Sequence, residues 1–329
     1  MMPEVLVEIH DLVVNFYTYR GVVKAINGVN LEINKGEFFG LVGETGCGKS
    51  VTGSAILNLV QNPGRIESGE IIFKGDDILQ MDEDEIRKRI RGQEITMIMQ
   101  HPIAALNPVL KNGDQIAEAL SRKMGEGEAR KRTIELLKEV NIPDPSKVAS
   151  QYPHQLSGGM AQRVMIAMML ATEPSLLIAD EPTTALDVSI QAQVLSLLED
   201  LIKMHKASVL LITHDLSVVA ETCDRVGVMY AGDMAEVGEV DQIIHNPKHP
   251  YTIGLMRAIP SDHGKELVGI RGSVPDLVNP PPGCRFHPRC DYARQICRRM
   301  KPKTIQVEDN HTVACFMHEW GTHGRDHRA

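Results

Sequence analysis

The sequence has no stretch that reaches the ~20 consecutive apolar residues a helix needs to cross a bilayer. Its greasiest run, Val164 to Leu170, gives way at once to Thr172, Glu173 and Pro174. Met1 to Val7 has neither the basic nor the apolar region of a signal peptide, so a soluble chain that meets membranes only through partners is expected. Aromatic residues are scarce, 4% against 43% hydrophobic residues in all, which fits an aliphatic α/β core better than an all-β sandwich. Positive charge is not in excess either. The net charge of -8 argues against a protein that coats nucleic acid, because that affinity comes from Lys and Arg neutralising phosphates. Cysteine is almost absent from the first part of the chain, where only Cys47 and Cys223 stand alone, and then concentrates in Cys284, Cys290, Cys297 and Cys315.

Short apolar runs bounded by turn residues mark the strands. Val5 to Phe16, Val29 to Ile33, Phe38 to Val42, Ile71 to Phe73 and Ile95 to Met99 come first. Leu176 to Ala179, Val209 to Thr213 and Val226 to Tyr230 follow. A helix is expected from about Ser50 to Val60, and helical patterning dominates between Gly113 and Ala171, clearest at Glu128 to Val140 and Gly158 to Ala171. Strands alternating with helices predict an α/β fold with a mixed, mainly parallel sheet. The helical stretch, about residues 101–171, reads as a subdomain inserted into a nucleotide-binding domain of residues 1–246. The remainder, 247–329, is rich in proline and glycine and reads as a small C-terminal extension.

Gly43-Glu44-Thr45-Gly46-Cys47-Gly48-Lys49-Ser50 fits G-x-x-x-x-G-K-[ST], with a strand before it and a helix running on through Val51. Glycines let backbone N–H groups turn onto phosphate oxygens, and the helix N-terminus adds favourable partial charge. Lys49 is expected on the β- and γ-phosphates and the Ser50 hydroxyl on Mg²⁺. Leu176-Leu177-Ile178-Ala179-Asp180-Glu181 then delivers two adjacent carboxylates to a strand end. Strand alternation sends them in different directions, so Asp180 can serve Mg²⁺ while Glu181 polarises a water for in-line attack. Alone, such a pair would be a solvated strand end; beside the phosphate loop, catalysis is the better reading.

Leu156-Ser157-Gly158-Gly159-Met160-Ala161-Gln162-Arg163, just upstream of the acidic strand, resembles the signature sequence of ABC ATPases. The departure is Met160, where glutamine is commonest in that family. The resemblance implies an ABC-type P-loop ATPase core whose Leu156, Ser157, Gly158, Gly159 and Met160 face the ATP of a second cassette. It makes Gln100 similar to the Q-loop glutamine, which senses Mg²⁺ and water. Ala185-Leu186-Asp187 is similar to the D-loop, and His214 to the switch histidine that orients the γ-phosphate. Tyr19, with Phe16 and Tyr17 close by, is the expected stacking partner of adenine. The Mg²⁺ set so implied is Ser50, Gln100 and Asp180.

Asn246-Pro247-Lys248-His249-Pro250-Tyr251-Thr252 running into Ala258-Ile259-Pro260 resembles the C-terminal region of dipeptide and oligopeptide importer ATPases. Tyr152-Pro153-His154-Gln155, Met160 and Pro108 suit the same group, closest to its D-type ATPases. That resemblance implies ATP-driven import of di- or oligopeptides at the cytoplasmic face of the membrane. The partners would be a second ATPase subunit (an F-type chain or an identical copy), two transmembrane permeases and, indirectly, an extracytoplasmic binding protein. Nickel and oligosaccharide importers share this ATPase family. A soluble ABC ATPase acting on the ribosome or DNA is the competing class. It is disfavoured by the single cassette and the short helical insert, and no nucleic-acid partner is expected.

The spacing Cys284-x5-Cys290-x6-Cys297-x17-Cys315 leaves three readings open: unrelated thiols, a Zn²⁺ site, or a [4Fe–4S] cluster. Disulfides are not expected in a reducing compartment. Zinc sites usually include a C-x2-4-C pair, which is missing, whereas wider gaps suit ligands on separate irons. Arg285, Arg289, Arg294, Arg298 and Arg299 would offset thiolate charge in either metal site, and His287, His311 and His318 are reserve ligands. Peptide-importer ATPases of this type are similar in carrying an iron–sulfur cluster here, and that resemblance makes a metal-binding extension with a [4Fe–4S] cluster on these four cysteines the expectation, with Zn²⁺ the alternative.

Overall fold

The computed structural model describes residues 4–183, 188–258 and 269–319. Its strands are β1 (Val5–Thr18), β2 (Gly21–Asn34), β3 (Phe38–Val42), β4 (Gly64–Phe73), β5 (Asp76–Asp77) and β6 (Ile95–Ile98). They continue as β7 (Leu176–Asp180), β8 (Ser208–Thr213), β9 (Arg225–Tyr230), β10 (Asp233–Glu239), β11 (Ile305–Glu308) and β12 (His311–Val313). Two compact units divide the chain. The first comprises Met1–Val5, Ile33–Phe38 and Gln80–Ile212; the second comprises Leu6–Glu32, Phe39–Leu79 and Thr213–Ala329.

In the first unit, β6, β7 and β8 pair in parallel, with Ile95 opposite Leu176 and Leu176 opposite Ser208. Every residue of β8 is buried, and so is β7 as far as Ala179. A strand covered on both faces carries a continuous apolar run, as these do. Between β6 and β7 the chain forms helices, among them Asn112–Leu120, Glu126–Glu139 and Gly158–Leu170. Glu126–Glu139 buries Ala129, Thr133, Leu136 and Leu137, one stripe at helical spacing, while Arg130 pairs with Glu126 outside. Gly158–Leu170 is buried along most of its length, including Val164, Met165, Ile166 and Ala167, which explains why its sequence is the greasiest in the chain. Among the described residues no helix is long and apolar enough to cross a membrane.

The second unit holds an antiparallel sheet, β2-β1-β4-β5, and the strand succession β11-β12-β10-β9-β3. Here β3 runs parallel to β9, and β10 turns back antiparallel to β9. β1 follows the apolar segment Val5 to Phe16 and runs on to Thr18, whereas β2 begins at Gly21, well before Val29 to Ile33, its first half being interrupted by polar Lys24 and Asn27. The helix after the phosphate loop, Lys49–Ile56, stops short of Val60; Asn58 takes a left-handed φ of 49° that ends it. β10 escaped the sequence pattern, its buried Met234 to Gly238 interrupted by Glu236.

That glutamate explains itself in packing. The Glu236 carboxylate accepts the Lys248 N–H at 2.6 Å, the His249 N–H at 2.9 Å and His311 Nε2–H at 2.7 Å. It therefore ties β10 both to the segment after residue 246 and to β12, whose Thr312 and Val313 pair with Val237 and Glu236. Both side chains of the Glu236–His311 pair are fully buried. Removing one partner of such a pair strands the other, so Glu236→Ala should destabilise the chain by about 3 kcal/mol. The check is a lower denaturant midpoint at unchanged slope; an unmoved midpoint would show the pair to be idle.

Candidate nucleotide site and cysteine pocket

The phosphate loop leaves β3 at Gly43 and enters its helix at Lys49. Gly43 has φ 152°, and a Cβ there would stand 2.2 Å from the Met229 carbonyl oxygen. Gly48 has φ 109°, with the Ala25 carbonyl oxygen 2.9 Å from a virtual Cβ. Neither position admits a side chain, so the glycine spacing is imposed by backbone packed against β9 and β2. Lys49 is 5% exposed, and its Nζ donates to Gly43 O at 2.7 Å and to Glu44 O at 3.3 Å. Ser50 is exposed at the helix start, as are Thr45 and Gly46 in the loop. Cys47 is buried beneath it; burial pushes its thiol pKa up, with the nearby Lys49 charge opposing, so it stays a neutral packing group.

Three groups of Glu44 are held. Its N–H donates to the Tyr251 hydroxyl at 2.9 Å, its carbonyl accepts Lys49, and its carboxylate receives both arms of the Arg289 guanidinium at 2.6 and 3.0 Å. Sequence reasoning missed Tyr251 and Arg289 as loop partners. It assigned Arg285 and Arg289 to thiolate charge, but Arg289 is spent on Glu44, while Arg285 donates to the carbonyls of Ala231 and Lys24. The Gly232 N–H in turn donates to Cys47 O at 2.8 Å.

Tyr19 lies in the β1–β2 turn of this same unit, 92% exposed, with its hydroxyl accepting from Arg20 Nε. Tyr17 is engaged by Glu67 through its hydroxyl and by Arg65 over its ring. Arg20 lies over the Tyr19 ring just as Arg65 lies over that of Tyr17, and Tyr19 is the more exposed of the two. His214 is exposed just past β8, and Asp215 next to it caps the following helix by accepting from Ser217 and Val218.

In the first unit, β7 ends at Asp180, and Glu181 takes a left-handed φ of 46° with its N–H on Ile212 O at 2.8 Å. A non-glycine residue there stores strain of a kind concentrated at functional sites. The carboxylate so aimed accepts from Gln100 Nε2 at 3.0 Å, which joins two expected site residues separated by 81 positions. Ser157 is the N-cap of Gly158–Leu170, its Oγ accepting the Met160 N–H at 3.4 Å; Ser157 and Gly158 are exposed and Leu156 is buried beneath them. A Cβ on Gly159 would meet Ile190 at 3.0 Å. Met160 is half-buried. Asp187, with Ala185 and Leu186, lies outside the described residues.

The four late cysteines are free and half-buried, and all line one cavity together with His249, Phe286 and His287. Burial, then a backbone hydrogen bond opposing and the neighbouring thiols adding, pushes Cys284 up to about 12 and Cys315 to about 11. Among the described residues no set of three or more His, Cys, Asp or Glu stands at metal-binding geometry as these side chains lie. Four thiols converging on one cavity are nevertheless a donor set that fits a thiophilic metal centre. Two reserve histidines are committed elsewhere: His311 to Glu236, and His318 Nε2 to Lys248 O at 3.1 Å. Burial holds His249 neutral, lowered to about 3, and its Nδ1 accepts the Tyr251 N–H.

Residues 26–184 match the ABC transporter family, and residues 235–297 match the oligopeptide/dipeptide transporter C-terminal region. The chain is 49% identical to the dipeptide transport ATP-binding protein DppD of Bacillus subtilis, over 96% of each chain. It is 50% identical to the oligopeptide transport ATP-binding protein OppD of the same organism, over 95% of this chain and 88% of that one. Its fold is similar to a dimeric ATP-binding cassette in a post-hydrolysis state bound to ADP and Pi, with TM-score 0.64, 30% identity, and coverage of 71% of this chain and 99% of that one. The α/β cassette, its glycine loop and its C-terminal region therefore belong to one family: the chain is a member of the ABC transporter ATP-binding proteins, in the oligopeptide/dipeptide group.

Proposed function

We propose that this chain is the ATP-hydrolysing subunit that powers import of di- or oligopeptides through an ABC transporter. The observation that carries the ATP reading is the loop itself, wound so tightly that two of its glycines admit no Cβ, with Lys49 buried against its carbonyls. Support for the peptide class comes from relatives that are dipeptide and oligopeptide transport ATP-binding proteins. In this reading Gly43 to Val51 hold the phosphates, Lys49 exchanges its loop carbonyls for phosphate oxygens, and Tyr19 stacks on the adenine. Ser50, Gln100 and Asp180 would hold Mg²⁺, which supplies charge neutralisation on the phosphates.

Glu181 takes a proton from the attacking water, positioned by Gln100, and His214 orients the γ-phosphate. Leu156 to Met160, with Asp187, serve the facing cassette: exposed Ser157 and the helix N-terminus behind it offer N–H groups to the γ-phosphate held by the other subunit. Two cassettes are therefore needed for efficient turnover, a different ATPase chain or a second copy. Permease subunits would dock the pair peripherally at the cytoplasmic face of the membrane. Residues 1–246 form the nucleotide-binding domain, with the helices of about 101–171 as its inserted subdomain, and 247–329 the extension.

Cys284, Cys290, Cys297 and Cys315 would hold a [4Fe–4S] cluster, which supplies ties across a segment with little apolar core of its own. The common cavity of the four thiols supports this reading, with Zn²⁺ the competing occupant. Anaerobic purification should yield a brown protein with a broad visible absorbance and about four irons per chain; zinc without iron would overturn the cluster.

Glu181→Gln removes the proton acceptor and leaves the phosphate loop intact. Steady-state ATPase should fall by about a hundredfold or more, with ATP affinity nearly kept and a closed dimer accumulating with ATP. Near-normal turnover in that variant would contradict the assignment of Glu181.

A further inference from the structure

The segment around the cysteines reaches the phosphate loop by three routes, and none passes through a sulfur. Tyr251, fully buried, accepts the Glu44 N–H through its hydroxyl. Arg289, with a side chain 6% exposed, grips the Glu44 carboxylate bidentately. Arg285 holds the Ala231 carbonyl, one residue before the Gly232 N–H that donates to Cys47 O.

The clamp is itself braced. Arg289 Nε donates to Arg271 O at 2.8 Å, and its guanidinium lies over the Tyr230 ring at 5.6 Å. Phe286 packs edge-on to Tyr230 at 5.0 Å and tilted against Tyr251 at 5.4 Å, so the two Glu44 partners share one aromatic support. A flexible glycine loop gains most from being held in shape by groups that cannot themselves move.

We propose that Arg289 and Tyr251 are positioning residues for ATP binding, fixing Glu44 so that the loop keeps its course before nucleotide arrives. Arg289 has a second physical effect. It neutralises a carboxylate sitting in the loop, which would otherwise repel a triphosphate. The proposal deepens the ATP reading of this loop and rests on it. Arg289 directly precedes Cys290, one of the residues that line the cysteine cavity.

Binding of Mg-ATP to the full chain, measured by calorimetry, provides the test. Arg289→Ala should weaken affinity about tenfold, and Tyr251→Phe, which keeps the ring, about threefold. The ATPase of both, assembled with the partner subunits, should show raised KM with kcat changed much less, a split that general loss of folded protein would not give. Arg289→Lys should fall between, since an ammonium restores charge but not the fork. Combining Arg289→Ala with Glu44→Gln should be no weaker than Arg289→Ala alone. Affinities within about twofold of the parent for both Arg289→Ala and Tyr251→Phe would overturn the proposal. So would a weakening that appears only in preparations that have lost iron and zinc. Should Arg289→Ala not fold, Tyr251→Phe decides. The parent chain separates the two layers: a parent that binds no Mg-ATP sinks the nucleotide reading, whereas normal parental binding with Arg289→Ala and Tyr251→Phe both unaffected sinks only the clamp.

Discussion

Glu44 is held at its N–H, its carbonyl and its carboxylate at once, and most of what distinguishes this molecule follows from where its partners come from. A phosphate-binding loop faces a conflict. Its glycines must reach conformations that side chains forbid, yet each residue left free in the unbound loop forfeits about 1–2 kcal/mol of ordering entropy when nucleotide binds. Contacts from β9 and β2 set the two glycines that no Cβ can replace. The tail then fixes the residue between them, so ordering is completed by folding. The bidentate Arg289–Glu44 pair suits that task, because a fork fixes direction as well as distance. It also raises the pKa of the guanidinium, chiefly through its hydrogen bond to Glu44.

The same tail joins β10 through Glu236 and β12, and carries the four thiols. Its small apolar content is offset by polar contacts both within itself and to the cassette. In this arrangement a metal centre would brace the segment that braces the loop. Glu181 shows a comparable economy in the first unit: one left-handed residue, anchored by Ile212, both ends the strand and aims the carboxylate at Gln100.

Much of the fold was legible because its signals are local. The buried strand at Phe38–Val42 has the bounds its apolar run predicts, and Ser157 caps the helix its Ser-Gly-Gly announces. The glycine loop needed only eight residues of spacing. What the sequence hid is long-range. Tyr251 and Arg289 lie 207 and 245 positions from Glu44, and nothing in a run of arginines among cysteines distinguishes the one that grips a carboxylate from those left to solvent. β10 was hidden for a related reason, since Glu236 breaks its apolar run and is satisfied only by partners from distant segments. That the four thiols line one cavity was likewise beyond the reach of their spacing.

The central claim is that the phosphate loop is built before ATP arrives, and hydrogen–deuterium exchange of the Val42–Ser50 amides in the nucleotide-free chain tests it most directly. The account predicts slow exchange, before Mg-ATP is added, at the Glu44 N–H held by Tyr251 and at the Cys47 N–H held by the Glu44 carbonyl, with added protection on Mg-ATP confined to the amides that phosphate oxygens engage. Exchange at the rate of an unfolded chain, slowing only on addition of Mg-ATP, would contradict it.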